Sequence, residues 1–187
     1  MISNIIDFIK EKGYEIDSKK FSGNVGGDIY LLCKDSKCDY ICKVIKNYKD
    51  KDEMELKLSR KFGKLGVSPL IIDHNKIEMD GIAYIVIIME YIKGLTLREW
   101  LTTSSNYQKT LMKKKIIKKI NIIHKYNFIH GDLHFDNIII DKHNIPFIID
   151  FGTTIRVNKR KKCGLMYGYT PNSIYCENKI FHNFYDY

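Results

Sequence analysis

Three polar side chains with the chemistry of a phosphoryl-transfer site lie close together in the chain. Asp132 and Asn137 belong to the segment IHGDLHFDN (residues 129–137), and Asp150 begins the segment DFG (residues 150–152). Transfer of a phosphoryl group needs a carboxylate that orients the attacking hydroxyl, together with oxygen ligands that hold Mg²⁺ against the nucleotide phosphates. The sequence therefore predicts that Asp132 orients the hydroxyl and that Asn137 and Asp150 bind the metal.

An apolar hairpin is predicted to bring these residues to one cleft. The segments 138–140 and 147–149 are strand-like, and DKHN (residues 141–144) is typical of the turn between them. Such a hairpin has Asn137 at its start and Asp150 at its end. The alternative is an ordinary buried hairpin with chance polar residues, which the order and spacing of the two motifs disfavour.

The order and spacing of these motifs resemble the protein kinase superfamily, whose catalytic loop is H-x-D-x-x-x-x-N and whose metal loop is D-F-G. The resemblance implies an α+β, bilobal fold. Its β-rich N-terminal lobe (residues 1–91) carries one helix, and its C-terminal lobe (residues 92–187) is shortened and mainly helical. ATP and Mg²⁺ are the implied cofactors, and a Ser/Thr hydroxyl of a protein is the implied acceptor. A complete domain of this family is longer than the 187 residues of this chain.

The N-terminal half contains four strand-like runs and one helical pattern. A helix is predicted for residues 51–65, with Met54, Leu58, Phe62 and Leu65 on its buried stripe and Gly66 at its end. The dipeptide Asp-Gly at 80–81 predicts a two-residue hairpin turn. The predicted strands are residues 28–33, 40–45, 76–79 and 82–89.

Lys43 ends the segment YICK, which resembles the V-A-I-K strand of the family. The resemblance implies that Lys43 neutralises the α and β phosphates of ATP, held in position by a glutamate of the following helix. Glu53 and Glu55 are both candidates for that partner. We favour Glu55, because Leu58 and Phe62 follow it on the same helix face.

Further nucleotide contacts are implied by the same resemblance. The glycine-rich segment 22–29 corresponds to the phosphate-covering loop, although it lacks the full G-x-G-x-x-G order. The segment MEYI (residues 89–92) corresponds to the adenine-binding hinge, with Met89 as gatekeeper. The implied contacts to the nucleotide are Gly23, Gly26, Gly27, Ile29, Ile41, Lys43, Met89, Glu90, Ile92 and Ile139.

Two alternatives concern the acceptor and the turnover. His134 stands where protein kinases commonly have lysine, and HGDLH is similar to aminoglycoside and choline phosphotransferases, which implies a small-molecule acceptor. Residues 55–69 and the His-Gly-Asp order are similar to the small kinases of the KEOPS tRNA-modification complex. The second alternative is a truncated kinase that binds nucleotide or a partner without turnover, because the chain ends at residues 186–187, where the family's next helix begins.

The C-terminal half predicts structural roles for several other residues. A basic amphipathic helix is predicted for residues 107–126, with Leu111, Ile116, Ile120 and Ile123 buried. His130 is expected to pack beneath the metal loop with Phe151 against it, and Asp136 to be a surface residue. The segment 168–177 loosely resembles an activation segment.

Composition predicts a soluble, cytoplasmic protein without a membrane partner. The longest fully apolar run, residues 82–89, is too short to span a bilayer. The net charge of +9 arises largely from lysine-rich runs at 113–119 and 159–162. These runs are compatible with a nucleic-acid partner, but no stacking pattern accompanies them, and we interpret them as solvated faces. No oligomeric state is predicted. We expect free thiols in a reducing compartment at Cys33, Cys38, Cys42, Cys163 and Cys176.

Overall fold

A computed structural model describes residues 3–21 and 28–157 of this chain. The chain divides into two compact units, Met1–Lys93 and Gly94–Tyr187. Several sequence predictions lie outside the described residues. They are Gly23, Gly26 and Gly27 of the glycine-rich segment, the basic run 159–162, the two cysteines Cys163 and Cys176, and the segments 168–177 and 186–187.

The first unit is built on a five-stranded antiparallel sheet with the strand order β1-β2-β3-β5-β4. The predicted strands lie within the observed ones, and the predicted turn has left-handed φ angles of 52° at Asp80 and 70° at Gly81. The first strand was not predicted, because only Ile16 and Phe21 are apolar within it. The strands are β1 (Glu15–Phe21), β2 (Asp28–Lys34), β3 (Lys37–Lys46), β4 (Ile71–Met79) and β5 (Ile82–Glu90).

Two helices, α1 (Ser3–Glu11) and α2 (Asp50–Lys64), belong to this unit, where the sequence predicted one. Successive residues of a strand point to opposite faces of the sheet. Accordingly, Val86 and Ile88 pack in one core cluster with Phe8 and Ile9 of α1. The other face carries a second cluster that includes Ile85, Ile87 and Leu56 of α2. Helices therefore cover apolar residues of both faces.

The buried face of α2 differs from the predicted stripe. Leu58 and Phe62 are buried as predicted, but Met54 and Leu65 are 48% and 39% exposed. Leu56 is buried instead. Around the helix axis, Leu58 and Phe62 lie between Met54 and Leu56. Only the side with Leu56 faces the sheet, so Leu56 is buried and Met54 is exposed.

The second unit combines two helices with small sheets. The long helix buries Ile116, Ile120 and Ile123 as predicted, whereas Leu111 is 40% exposed and Met112 takes its place in the core. That helix carries seven lysines, and no helix in the described ranges is long and apolar enough to cross a membrane. In chain order the elements are β6 (Gly94–Thr96), α3 (Leu97–Thr103), α4 (Asn106–Lys125), β7 (Phe128–Ile129), a 3₁₀ helix (Phe135–Asn137), β8 (Ile138–Asp141), β9 (Pro146–Ile148) and β10 (Ile155–Arg156).

The expectation of free thiols is wrong for two of the described cysteines. Cys33 and Cys38 form a disulfide bond near the β2–β3 turn, where Asp35 and Ser36 have left-handed φ angles. Hairpin pairing brings the two cysteines together, which their scattered positions in the sequence did not reveal. Cys42 is a buried free thiol, and burial raises its pKa to about 12.

Candidate phosphoryl-transfer site

The catalytic loop begins with a glycine that the local packing requires. Gly131 has a φ of 88°, and a Cβ atom at this position would lie 2.4 Å from the carbonyl oxygen of Thr153. The hydroxyls of Thr153 and Thr154 donate to the carbonyl oxygen of His130, at 3.1 and 3.4 Å. These contacts attach the segment after the DFG motif to the start of the catalytic loop, next to the exposed carboxylate of Asp132.

Asn137 closes the catalytic loop by a hydrogen bond back to its start. The Nδ2 atom donates to the carbonyl oxygen of Asp132 at 2.9 Å, and Asn137 is only 8% exposed. The amide nitrogen of Ile149 donates to the carbonyl oxygen of Asn137 at 3.0 Å. The hairpin of β8 and β9 thus connects Asn137 to the residue that precedes Asp150.

Asp150 adopts a left-handed backbone conformation with a φ of 65°. This conformation is uncommon for residues other than glycine, and such residues cluster at functional sites. The amide of Gly152 donates to its Oδ1 atom at 3.3 Å, and the residue is exposed. The bend turns the carboxylate outward while the next residue, Phe151, is buried.

The predicted packing of His130 with Phe151 is confirmed. Their ring centroids lie 5.1 Å apart with an interplanar angle of 55°. The Nε2 atom of His130 lies 2.9 Å from the carbonyl oxygen of Ile149. Both rings are buried, and their contact packs the DFG segment against the start of the catalytic loop.

The donor atoms of Asn137 and Asp150 fit a magnesium ion. Mg²⁺ is a hard cation that prefers oxygen ligands and is commonly bound by one or two protein side chains together with nucleotide phosphates. In Asn137 the nitrogen is engaged with Asp132, which leaves the amide oxygen as the atom able to bind a cation. Asp150 adds an exposed carboxylate.

His134 lies beside the candidate catalytic carboxylate. Its Nδ1 atom accepts a hydrogen bond from the amide of Asp136 at 3.2 Å, so the ring proton of the neutral form is on Nε2. The Nε2 atom lies 3.8 Å from Oδ2 of Asp132. The loop therefore directs an N–H group towards Asp132 where protein kinases commonly have a lysine.

Arg98 of α3 is a residue of this site that the sequence did not reveal. Its Nε and Nη2 atoms donate to the two carboxylate oxygens of Asp136 at 2.8 Å each, and this interaction holds the pKa of Asp136 below its usual range. Asp136 was expected to be only a surface residue. The distance of 38 positions between the two residues, and the absence of a motif around Arg98, left no signal in the sequence.

The first unit contains the lysine–glutamate pair. Lys43 of β3 donates from Nζ to Oε1 of Glu55 at 2.7 Å, and the two side chains are only 15% and 12% exposed. Glu53 instead forms a more exposed ion pair with Lys76 of β4. An ammonium group held by a poorly solvated carboxylate is suited to binding a phosphate from a fixed position.

The remaining residues predicted to contact the nucleotide belong to neighbouring strands. Ile29 is the cross-strand partner of Lys43, and Ile41 is the partner of Met89. These apolar side chains are half-buried. The amide of Glu90 donates to the carbonyl oxygen of Leu70, and Ile92 is buried. Ile139 lies half-buried in β8 of the second unit.

Residues 17–180 match the family model of the protein kinase domain. A probable serine/threonine-protein kinase 2 of Plasmodium falciparum is 29% identical over 108 residues, which are 53% of this chain and 21% of that protein. Serine/threonine-protein kinase D of Synechocystis is 36% identical over 67 residues, which are 35% of this chain and 13% of that protein. The chain thus spans about a fifth or less of the length of these curated relatives.

The fold is similar to that of a solved viral kinase, the Cydia pomonella granulovirus kinase PK-1. The TM-score is 0.63 at 19% sequence identity, and the similarity covers 83% of this chain and 58% of the viral one. At this identity the comparison concerns the fold alone. The family model, by contrast, covers most of the chain, including both of the motifs from which the site was built. This chain belongs to the protein kinase domain family.

Proposed function

We propose that this chain transfers the γ-phosphoryl group of ATP to Ser/Thr hydroxyls of a protein substrate, with Mg²⁺ as the metal. The observation that carries the proposal is the closure of the catalytic loop by Asn137. Its nitrogen binds the backbone of Asp132, so a single side chain fixes the candidate base and presents an oxygen ligand. The Ser/Thr kinases among the relatives support the acceptor class.

Each residue has a distinct part in the proposed reaction. Asp132 orients the acceptor hydroxyl and accepts its proton, and Lys43, held by Glu55, binds the nucleotide phosphates. Asn137 and Asp150 would hold the metal, whose positive charge offsets the negative charge of the phosphates when it is bound. The positive φ of Asp150 supports this role, because a strained backbone is retained where a side chain must be directed outward.

Labelled ATP and a panel of generic protein substrates test the proposal. We expect Mg²⁺-dependent transfer by the purified chain, reduced about 10²- to 10⁴-fold in Asp132→Asn, as for loss of a general base. Asp150→Asn is expected to lose transfer and to need more Mg²⁺ for what remains. Glu78→Gln, which removes an exposed carboxylate of β4, is the matched control and should retain wild-type activity. Transfer that survives both aspartate substitutions would refute the mechanism.

A small-molecule acceptor is the second candidate function, and the N–H group of His134 near Asp132 is the observation that favours it. An aminoglycoside, choline and sugar panel, assayed beside the protein panel, separates the two. Phosphorylation of a small molecule without phosphorylation of any protein would favour this candidate. We expect the reverse, because the two curated relatives described above are serine/threonine-protein kinases.

A further inference from the structure

Three side chains with metal-binding donor atoms meet on neighbouring strands of the first unit, outside the residues assigned to phosphoryl transfer. They are Asp17 of β1, Cys33 of β2 and Cys38 of β3, and we call them the hairpin thiol site. The two sulfur atoms are bonded to each other, a carboxylate oxygen of Asp17 lies within 4.8 Å of both, and all three residues are half-buried. Zinc sites in proteins are built from thiolate, imidazole and carboxylate donors, and reduction of this disulfide would place two thiols beside a carboxylate.

The strand pairing explains how the three residues come together. Glu15 is the cross-strand partner of Cys33, and the register between β1 and β2 is irregular from Ile16 to Lys20. Irregularities of this kind change the direction of a side chain within a strand. Asp17 lies inside that irregular stretch, two residues after the partner of Cys33.

We propose that the hairpin thiol site, when its disulfide bond is reduced, binds one divalent cation of the zinc type through both sulfurs and the Asp17 carboxylate. Two soft thiolates select zinc over Mg²⁺ or Ca²⁺. Three protein ligands leave a fourth position for water. This inference is independent of the proposed kinase activity.

Oxidation and metal binding exclude each other at this site. A dithiol reductant supplies two electrons and two protons to the sulfur–sulfur bond and is itself converted to a disulfide. Binding of the cation then releases the two thiol protons to solvent. In the oxidised form both sulfurs are bonded to each other and no thiolate is present.

Cadmium binding to the full-length chain tests the proposal, because the sulfur-to-cadmium charge-transfer absorption reports thiolate ligation directly. Protein reduced with dithiothreitol, and then freed of it by gel filtration without oxygen, is titrated with Cd²⁺. We expect the absorption to saturate at about one Cd²⁺ per chain and to decrease when a large excess of Zn²⁺ competes for the site. Protein kept oxidised should give no absorption.

Matched variants assign the ligands. Cys33→Ser/Cys38→Ser should lose the absorption, whereas Cys163→Ser/Cys176→Ser should retain it. The buried thiol of Cys42 is common to all of these proteins, and its raised pKa makes it a poor ligand. Asp17→Asn keeps both cysteines and should bind Cd²⁺ at least about tenfold more weakly, because even outer-shell changes cost about 10- to 100-fold in metal affinity.

Three outcomes would overturn the proposal. They are a reduced protein without the charge-transfer absorption, absorption that persists in Cys33→Ser/Cys38→Ser, and unchanged affinity in Asp17→Asn. Circular dichroism of each variant establishes that it is folded before titration. Asp17→Asn provides the decisive test if the double cysteine variant fails to fold.

Discussion

Gly131 and Asp150 both have left-handed backbones, with φ angles of 88° and 65°, and each belongs to one of the two motifs of the candidate site. Glycine adopts this conformation without steric cost, whereas aspartate adopts it at a modest cost that its surroundings can offset. For Asp150 those surroundings include the amide of Gly152 and the buried ring of Phe151. Single residues therefore set the direction of the carboxylate that we propose as a metal ligand.

Substitution of Gly131 by alanine is expected to destabilise the protein by more than the left-handed conformation alone explains. The conformational cost is about 1–2 kcal/mol for a residue with a Cβ atom. The close approach to the Thr153 carbonyl adds roughly 1–3 kcal/mol. Chemical denaturation measures the sum of these two costs as a loss of unfolding free energy.

Gly81→Ala is the matched control for this prediction. Gly81 has a φ of 70°, and no atom lies within 4 Å of the position its Cβ would occupy. It should show the conformational cost without the steric one. Equal losses of unfolding free energy in the two variants would contradict the packing requirement at Gly131.

Substitution of Glu55 by glutamine is expected to reduce phosphoryl transfer by about tenfold or more, since a poorly solvated ammonium that loses its charged partner is no longer held in position. The KM for ATP should rise in parallel. Glu53→Gln is the control, because Glu53 contacts Lys76 and not Lys43. If Glu53→Gln were the more damaging change, the assignment of Glu55 as the partner of Lys43 would fail.

At the scale of elements, α2 is connected to β4 by a polar contact as well as by its apolar face. The Nη2 atom of Arg60 donates to Nδ1 of His74 at 2.9 Å, which requires Nδ1 to be unprotonated. Burial, followed by the positive charge of Arg60, lowers the pKa of His74 from 6.5. The helix that carries Glu55 is therefore attached to the sheet by a contact that depends on neutral histidine.

This contact is expected to make the protein less stable as the pH falls. The pKa of His74 is lower in the folded state than in the unfolded state, so the folded state binds fewer protons. The free energy of unfolding should consequently be highest above pH 6.5 and fall as the pH decreases from that value until the folded-state pKa is passed. Denaturation between about pH 7.5 and 5 measures this dependence.

His74→Gln should reduce the slope of stability against pH, because glutamine has no proton to gain. His143→Gln removes an exposed histidine of the β8–β9 turn and is the control, with a slope close to that of the wild type. An unchanged slope in His74→Gln would show that other groups produce the pH dependence.

At the scale of the whole molecule, the proposed reaction draws on residues of both compact units. Lys43 and Glu55 belong to Met1–Lys93, whereas Asp132, Asn137 and Asp150 belong to Gly94–Tyr187. Each set is organised within its own unit. A reaction that uses both sets couples the units functionally, and this coupling can be measured by combining substitutions.

Lys43→Met and Asp132→Asn are expected to be strongly non-additive. When two residues act in the same reaction step, removing either one already abolishes most of their joint contribution to the rate. The double variant should therefore be about as active as the poorer single variant. Rates of transfer for the wild type, both single variants and the double variant measure this directly. Losses that multiply would indicate that the two residues contribute independently, contrary to the proposal.

The predicted fold was accurate where local patterns suffice. The Asp-Gly turn at 80–81, the apolar hairpin after Asn137 and the helix before the catalytic loop all form close to their predicted bounds. Failures occurred where tertiary packing selects among options of similar local preference. Met112 replaces Leu111 in the core, and Cys33 is bonded to Cys38. The spacing of residues in the sequence did not show which helix face is buried or which cysteines pair.

The sequence by itself determined the family and indicated the chemistry that we propose. The order of His-Gly-Asp, Asn137 and Asp-Phe-Gly can be recognised in the sequence, because these groups are close together in the chain and lie on one loop and one hairpin. Only the tertiary structure decided which glutamate meets Lys43, that Arg98 holds Asp136, and that Asp17 approaches the two cysteines. These contacts join residues distant in sequence, and their geometry depends on how strands and helices pack.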